Sequence, residues 1–158
     1  MEISVSNEQS KYSLPEDALI AAVCAVLADT PYAVGSVDVA VVDDRSMRQL
    51  NSQYLQHDWP TDVLSFVLER EASSLEGQIV VSIETAVREA SRFDWSGDEE
   101  LLLYVVHGAL HLVGLNDKTA EETARMRTAE TRYLQQLGIH QPARRLEPNS
   151  PQTGITRN

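Results

Sequence analysis

The chain has 158 residues, 42% of them apolar, which is enough for one domain with a buried core. Its formal charge of −11 argues against strong non-specific binding to nucleic acid, and its single cysteine, Cys24, excludes an internal disulfide. The charge is uneven: residues 1–100 carry 6 Lys/Arg against 19 Asp/Glu, whereas residues 101–158 carry 7 against 5. A polyanion would therefore meet the C-terminal part.

In chain order, Ile3–Val5 reads as a short edge strand. Ser13-Leu14-Pro15-Glu16 has the pattern of a capping box and predicts a helix running to about Leu27. Within it, Ala18–Ala28 is an apolar run too short to span a bilayer, and Cys24 is expected to pack in the core. The N-terminus lacks the basic start and apolar core of a secretion signal, so a cytoplasmic location with no membrane is expected. Val37–Val42 is β-branched and predicts a strand. Asp43-Asp44 can cap a helix over residues 46–55 with Met47, Leu50, Tyr54 and Leu55 as its buried stripe. Val63–Leu68 and Gln78–Ser82 predict two further strands, the second opened by Gly77. A helix is expected over residues 84–93. Ser96-Gly97-Asp98-Glu99 is a second capping box and opens an apolar helix to about Val113, with Gly114 suited to its C-terminal cap. A last helix spans about Thr119 to Leu137. The expected fold is a single α+β domain over residues 1–140, a small mixed four-stranded sheet covered by about five helices. Residues 141–158 have little to bury and are expected to form a disordered tail.

The run from His107 to Asp117 reads HxxxHxxGxxD. Histidines four apart on a helix share a face, so their imidazoles can share one ion. Gly114 allows a turn, after which Asp117 can supply a third, oxygen ligand. Two neutral nitrogens and a carboxylate suit one Zn²⁺ ion with a fourth position left for water, a metallohydrolase-like arrangement. The spacing is similar to that of the zinc proteases with HExxHxxGxxH, but these need a glutamate beside the first histidine as general base. Here that position is Gly108, and Val106 on the other side is no better. Peptide hydrolysis by that route is disfavoured. Phosphodiester cleavage, which draws mainly on a metal-held water and charge stabilisation, is favoured. No catalytic residue besides the ligands is identified.

Over most of residues 1–138 the chain closely resembles the YbeY family, bacterial single-strand-specific metallo-endoribonucleases. The resemblance is carried by Pro60-Thr61-Asp62-Val63-Leu64-Ser65-Phe66, by Gly77-Gln78-Ile79-Val80-Val81-Ser82 and by the run His107–Asp117. It implies an α+β fold with zinc in a cleft, and a role in rRNA maturation, notably of the 16S rRNA 3′ end, and in ribosome quality control. It also implies single-stranded RNA and the ribosome as partners. Three positions depart from the pattern. Asp117 stands where the family usually has a third histidine, the neighbouring Asn116 being a poor zinc ligand. Leu55 stands where an arginine is usual after Asn-x-x-Tyr. Gln78 stands where an aspartate is usual.

Other residues have two readings each. His57, with Asp58, could contact phosphate or lie in a solvated loop. Asp62 could orient a ligand or make a turn contact. Lys118 could meet a phosphate or be a solvated lysine at the start of a helix. Arg125, Arg127 and Arg132 alternate with Glu121, Glu122 and Glu130, as on a solvated salt-bridge face. Trp59, Trp95 and Tyr32 could stack on bases or cap the core. Arg144-Arg145 could attract RNA weakly. A ribosome-associated RNA-binding factor with a metal site and little nuclease activity is the alternative to the endoribonuclease.

Overall fold

The computed structural model describes residues 1–54 and 62–143. Strand β1 (Glu2–Asn7) leads to helix α1 (Glu16–Leu27), β2 (Val34–Val42) and α2 (Asp44–Tyr54). The hairpin β3 (Val63–Glu71) and β4 (Ser74–Ser82) follows, then α3 (Ile83–Ala90), α4 (Gly97–Leu112) and α5 (Ala120–Gln136). The sheet order is β1-β2-β4-β3. β1 and β4 run parallel to β2, and β3 is antiparallel to β4. This is the expected α+β domain with a mixed four-stranded sheet.

Alternation along the strands makes two cores. Val37, Val39, Val41, Ile79 and Val81 face α1 and α4, in the larger one. Ala40, Val42, Leu64 and Val80 face the other way, toward Met47 and Leu50 of α2. Helix α2 covers that face only in part. Met47 and Asn51 are buried, but Tyr54 is exposed, contrary to its place in the expected stripe; its ring meets Phe66 edge-on at 5.3 Å.

Helix α1 corrects two expectations. Its first residue is capped by Pro15, with no side-chain cap bond, so the Ser13–Glu16 box does not form. Its buried residues are Leu19, Ala22, Val23, Val26 and Leu27, an i, i+3, i+4, i+7, i+8 stripe. Cys24 falls on the opposite face and is exposed. The apolar run had concealed the stripe because small residues occupy the solvent side as well.

Helix α4 positions the site. The Ser96–Glu99 capping box forms as expected. Every residue from Leu101 to Leu110 is buried, so this is a central helix without a solvent face. Its close approach to the sheet requires glycine at two places. A Cβ on Gly108 would stand 2.7 Å from Cγ2 of Ile79, and one on Gly77 would stand 3.0 Å from Cδ2 of Leu112. Gly77 thus lies inside β4 where the helix presses on it, not at the start of the strand. At the far end Leu115 N donates to Leu110 O at 3.0 Å, and Arg70 donates to Leu112 O at 3.1 Å. These bonds satisfy terminal carbonyls and place a cation at the negative end of the helix dipole. Among the described residues no helix is long and apolar enough to cross a membrane.

Candidate metal centre

The last turns of α4 present His107 and His111 on one side, and the chain leaving Gly114 brings Asp117 back toward them. Nε2 of His107 and Nε2 of His111 are 3.0 Å apart. Oδ2 of Asp117 lies 3.6 Å from the first of these atoms, and Oδ1 lies 3.6 Å from the second. One ligand atom from each residue can be chosen so that all lie within 4.8 Å of one another. Asn116, the neighbour of Asp117, is exposed, whereas the Asp117 side chain is 9% exposed and turned inward.

Glu130 of α5 completes the arrangement. Its Oε2 is 2.6 Å from Nδ1 of His107, and both side chains are 1% exposed. A carboxylate can only accept here, so Nδ1 carries the proton and the Nε2 lone pair faces His111 and Asp117. This carboxylate–histidine pairing fixes the tautomer that a metal needs. Arg127 donates to the other oxygen of Glu130 at 3.1 Å. Glu130 was expected on a solvated face. The structure corrects this: it lies on the buried stripe of α5 with Met126, Tyr133 and Leu134. That i, i+4, i+7, i+8 spacing is the signal in the sequence that could have identified it.

The donor set is two imidazole nitrogens and a carboxylate, brought together by α4 and the turn that follows it. Tetrahedral coordination at the usual zinc bond lengths separates ligand atoms by about 3.3 Å. The two nitrogens stand 3.0 Å apart, near that value, and each lies 3.6 Å from a different oxygen of Asp117. The donor chemistry of these residues fits a divalent ion, and one ligand atom from each gathers within 4.8 Å of the others.

Other candidates sort differently. Gly108 is a packing position, where a glutamate would collide with Ile79 and Val63. Asp62 is buried at the start of β3, and its carbonyl accepts from Ser82 N at 3.3 Å. Gln78 donates to Asp38 at 3.2 Å, so its effect is on local bonding on the open sheet face. Trp95 packs against the core and donates to buried Glu100 at 2.8 Å, and Tyr32 also packs there. Lys118 and Arg125 are exposed. Leu55, His57, Asp58, Trp59, Thr61, Arg144 and Arg145 lie outside the described residues.

A second polar cluster joins α2 to α3. Asp44 accepts from Ser82, from Thr85 at 2.6 Å and from Arg88 at 2.9 Å. Burial pushes the Asp44 carboxyl up, but these bonds and the Arg88 charge outweigh it and hold the group below its ordinary range. Sequence reasoning assigned Asp44 only to a helix cap.

Residues 4–138 match the family described as Endoribonuclease YbeY. The chain is 46% identical over 120 residues to the Endoribonuclease YbeY of Rhodopirellula baltica, a match covering 75% of this chain and 62% of that relative. It is 35% identical over 130 residues to that of Chloroherpeton thalassium, covering 82% of this chain and 92% of the relative. In Moorella thermoacetica the figures are 35% over 155 residues, 88% and 99%. The solution structure of TM1509 from Thermotoga maritima superposes with a TM-score of 0.56 at 26% identity, covering 86% of this chain and 91% of that one. With this fold, this site and these relatives, the chain belongs to the Endoribonuclease YbeY family.

Proposed function

We propose that the protein is a zinc-dependent, single-strand-specific endoribonuclease of the cytoplasm. In this role it matures rRNA at the 16S 3′ end and serves ribosome quality control, with the ribosome as partner. The observation that carries this is the inward-facing set His107, His111 and Asp117 in a chain of this family. His107, His111 and Asp117 are the ligands, and three protein ligands leave the open position typical of a catalytic zinc. Held by these three residues, a zinc ion would supply Lewis acidity for phosphodiester cleavage.

The remaining work belongs to the chain. Glu130 holds the His107 proton on Nδ1 and so keeps Nε2 available. The buried helix α4 fixes both imidazoles relative to the sheet, which limits reorganisation when substrate arrives. No side chain beside the first histidine can act as base, since position 108 has no room for one. The attacking group, a water or the RNA 2′-hydroxyl, must therefore lose its proton to an acceptor other than a residue at position 108.

The test is to purify the protein, measure bound metal and assay a single-stranded RNA for wild type and His111→Ala. One zinc per chain with cleavage, both lost in the variant, is the expected result. Equal metal content in the two proteins rejects the site. Metal without cleavage in the wild type favours an RNA-binding factor on the ribosome. A 2′,3′-cyclic phosphate on the product rules out simple attack by water and identifies the 2′-hydroxyl as nucleophile.

A further inference from the structure

Arg127 stands on α5 one turn before Glu130. Its guanidinium donates to Oε1 of Glu130 at 3.1 Å, and Oε2 of the same carboxylate accepts from His107 at 2.6 Å. Laid end to end, these contacts keep the guanidinium within about 10 Å of Nε2 of His107. That is a nucleotide or two along an extended strand. Glu130 is 1% exposed, but the Arg127 side chain is 33% exposed. The fork is thus pinned on its inner edge and open on its outer edge. An arginine offers five N–H donors in a rigid plane, so the bond to Glu130 leaves others for a second oxyanion.

From Arg127 a shallow groove of about 450 Å³ continues along α5, lined by Thr128, Thr131, Arg132 and Gln135 as well. Its lining holds two guanidiniums, two hydroxyls and an amide, and no carboxylate. Arg132 is braced from outside the lining by Asp29 at 3.2 Å. The groove also lies in the C-terminal part of the chain, where the formal charge turns from net negative to net positive. These are groups that contact phosphate and sugar oxygens without reading sequence.

We propose that Arg127 is a substrate-contact residue that holds a backbone phosphate flanking the one at the centre, with the α5 groove carrying the RNA strand onward. This rests on the endoribonuclease reading. It also gives Arg127 a role distinct from bracing Glu130, and the two roles separate experimentally.

The experiment measures binding of a short fluorescein-labelled 2′-O-methyl oligoribonucleotide to the zinc-loaded protein by anisotropy across a salt series. Wild type, R127Q, R127K and R132Q are compared, with R45Q on α2 across the sheet as reference, and bound zinc is determined in each. R127Q should weaken binding about threefold to tenfold and lower the salt slope by about 0.7, the value of one single-strand phosphate contact. Its zinc content should stay at the wild-type level, and KM should rise with kcat little changed. R127K should recover the slope but not the full affinity, because a lysine supplies the charge without the fork. R132Q should show a smaller loss, and R45Q none. Unchanged affinity and slope in R127Q at equal zinc content overturn the contact, as does a loss that simply tracks lost zinc. A wild-type protein that binds zinc but not the oligonucleotide overturns the endoribonuclease reading itself.

Discussion

Oε2 of Glu130 stands 2.6 Å from Nδ1 of His107, and through this one contact a residue 23 positions away sets which nitrogen of the imidazole faces the centre. The ring is buried between α4 and α5, so neither partner has solvent as a substitute. Exchanging the carboxylate for an amide keeps the shape and weakens the acceptor. Glu130→Gln is expected to lower zinc affinity about tenfold to a hundredfold with the helical content unchanged. A competition titration against a chromophoric chelator, with circular dichroism as the control, checks this. Wild-type affinity in the variant would dismiss the role given to Glu130.

Asp117 turns one carboxylate oxygen toward each Nε2, 3.6 Å away in both cases, as a third ligand would. Asp117→Asn should bind zinc far more weakly, because a neutral amide oxygen is a poor ligand for this ion. Asp117→His should retain one zinc per chain. Elemental analysis after dialysis distinguishes the two, and stoichiometric zinc in Asp117→Asn would remove Asp117 from the ligand set.

Gly108 is predicted to be intolerant of any side chain. The first carbon added would meet Ile79 at 2.7 Å and Val63 at 3.1 Å, and α4 is enclosed on all sides and has nowhere to move. Gly108→Ala should cost about 1–3 kcal/mol, the usual range for overpacking a core. Urea unfolding measures the loss, and stability equal to wild type would contradict so close a helix–sheet contact.

The Asp44 carboxyl titrates below its ordinary range in the folded protein. The unfolded chain takes up this proton more readily than the folded one. The stabilisation is therefore present above the unfolded value and is lost as pH falls through the folded value. Wild type should lose stability on the acid side of pH 4 more steeply than Asp44→Asn, whereas Asp44→Asn should be the weaker of the two at pH 7. Denaturant midpoints across this pH range test the difference. Parallel curves would show that the bonds from Ser82, Thr85 and Arg88 do not discriminate between the two forms.

Much of this molecule could be read before its fold was known, because the decisive signals are local. The spacing of His107 and His111 is a property of one helix turn. The Ser96–Glu99 box lies within four residues of chain, and the order of strands and helices follows from periodicity. What escaped depends on partners distant in sequence. Glu130 looked like one member of an alternating surface series, and only the packing of α5 on α4 turns it inward. Cys24 looked buried because an unbroken apolar run hides which face meets the sheet. Gly77 and Gly108 read as a boundary and a missing base, whereas both record how closely α4 lies against β3 and β4. The Ser13 box had the right letters, but the helix begins after Pro15.

Helix α4 has a consequence for how the proposed ligands are held. A helix enclosed on every side opens to solvent only when the whole domain opens, so its amides should be among the slowest to exchange for deuterium. His107 and His111 sit on that slow element, while Asp117 sits on the short connection between two capped helices. The proposed ligands are thus divided between a pair on one buried helix and a third member on the connection that follows it.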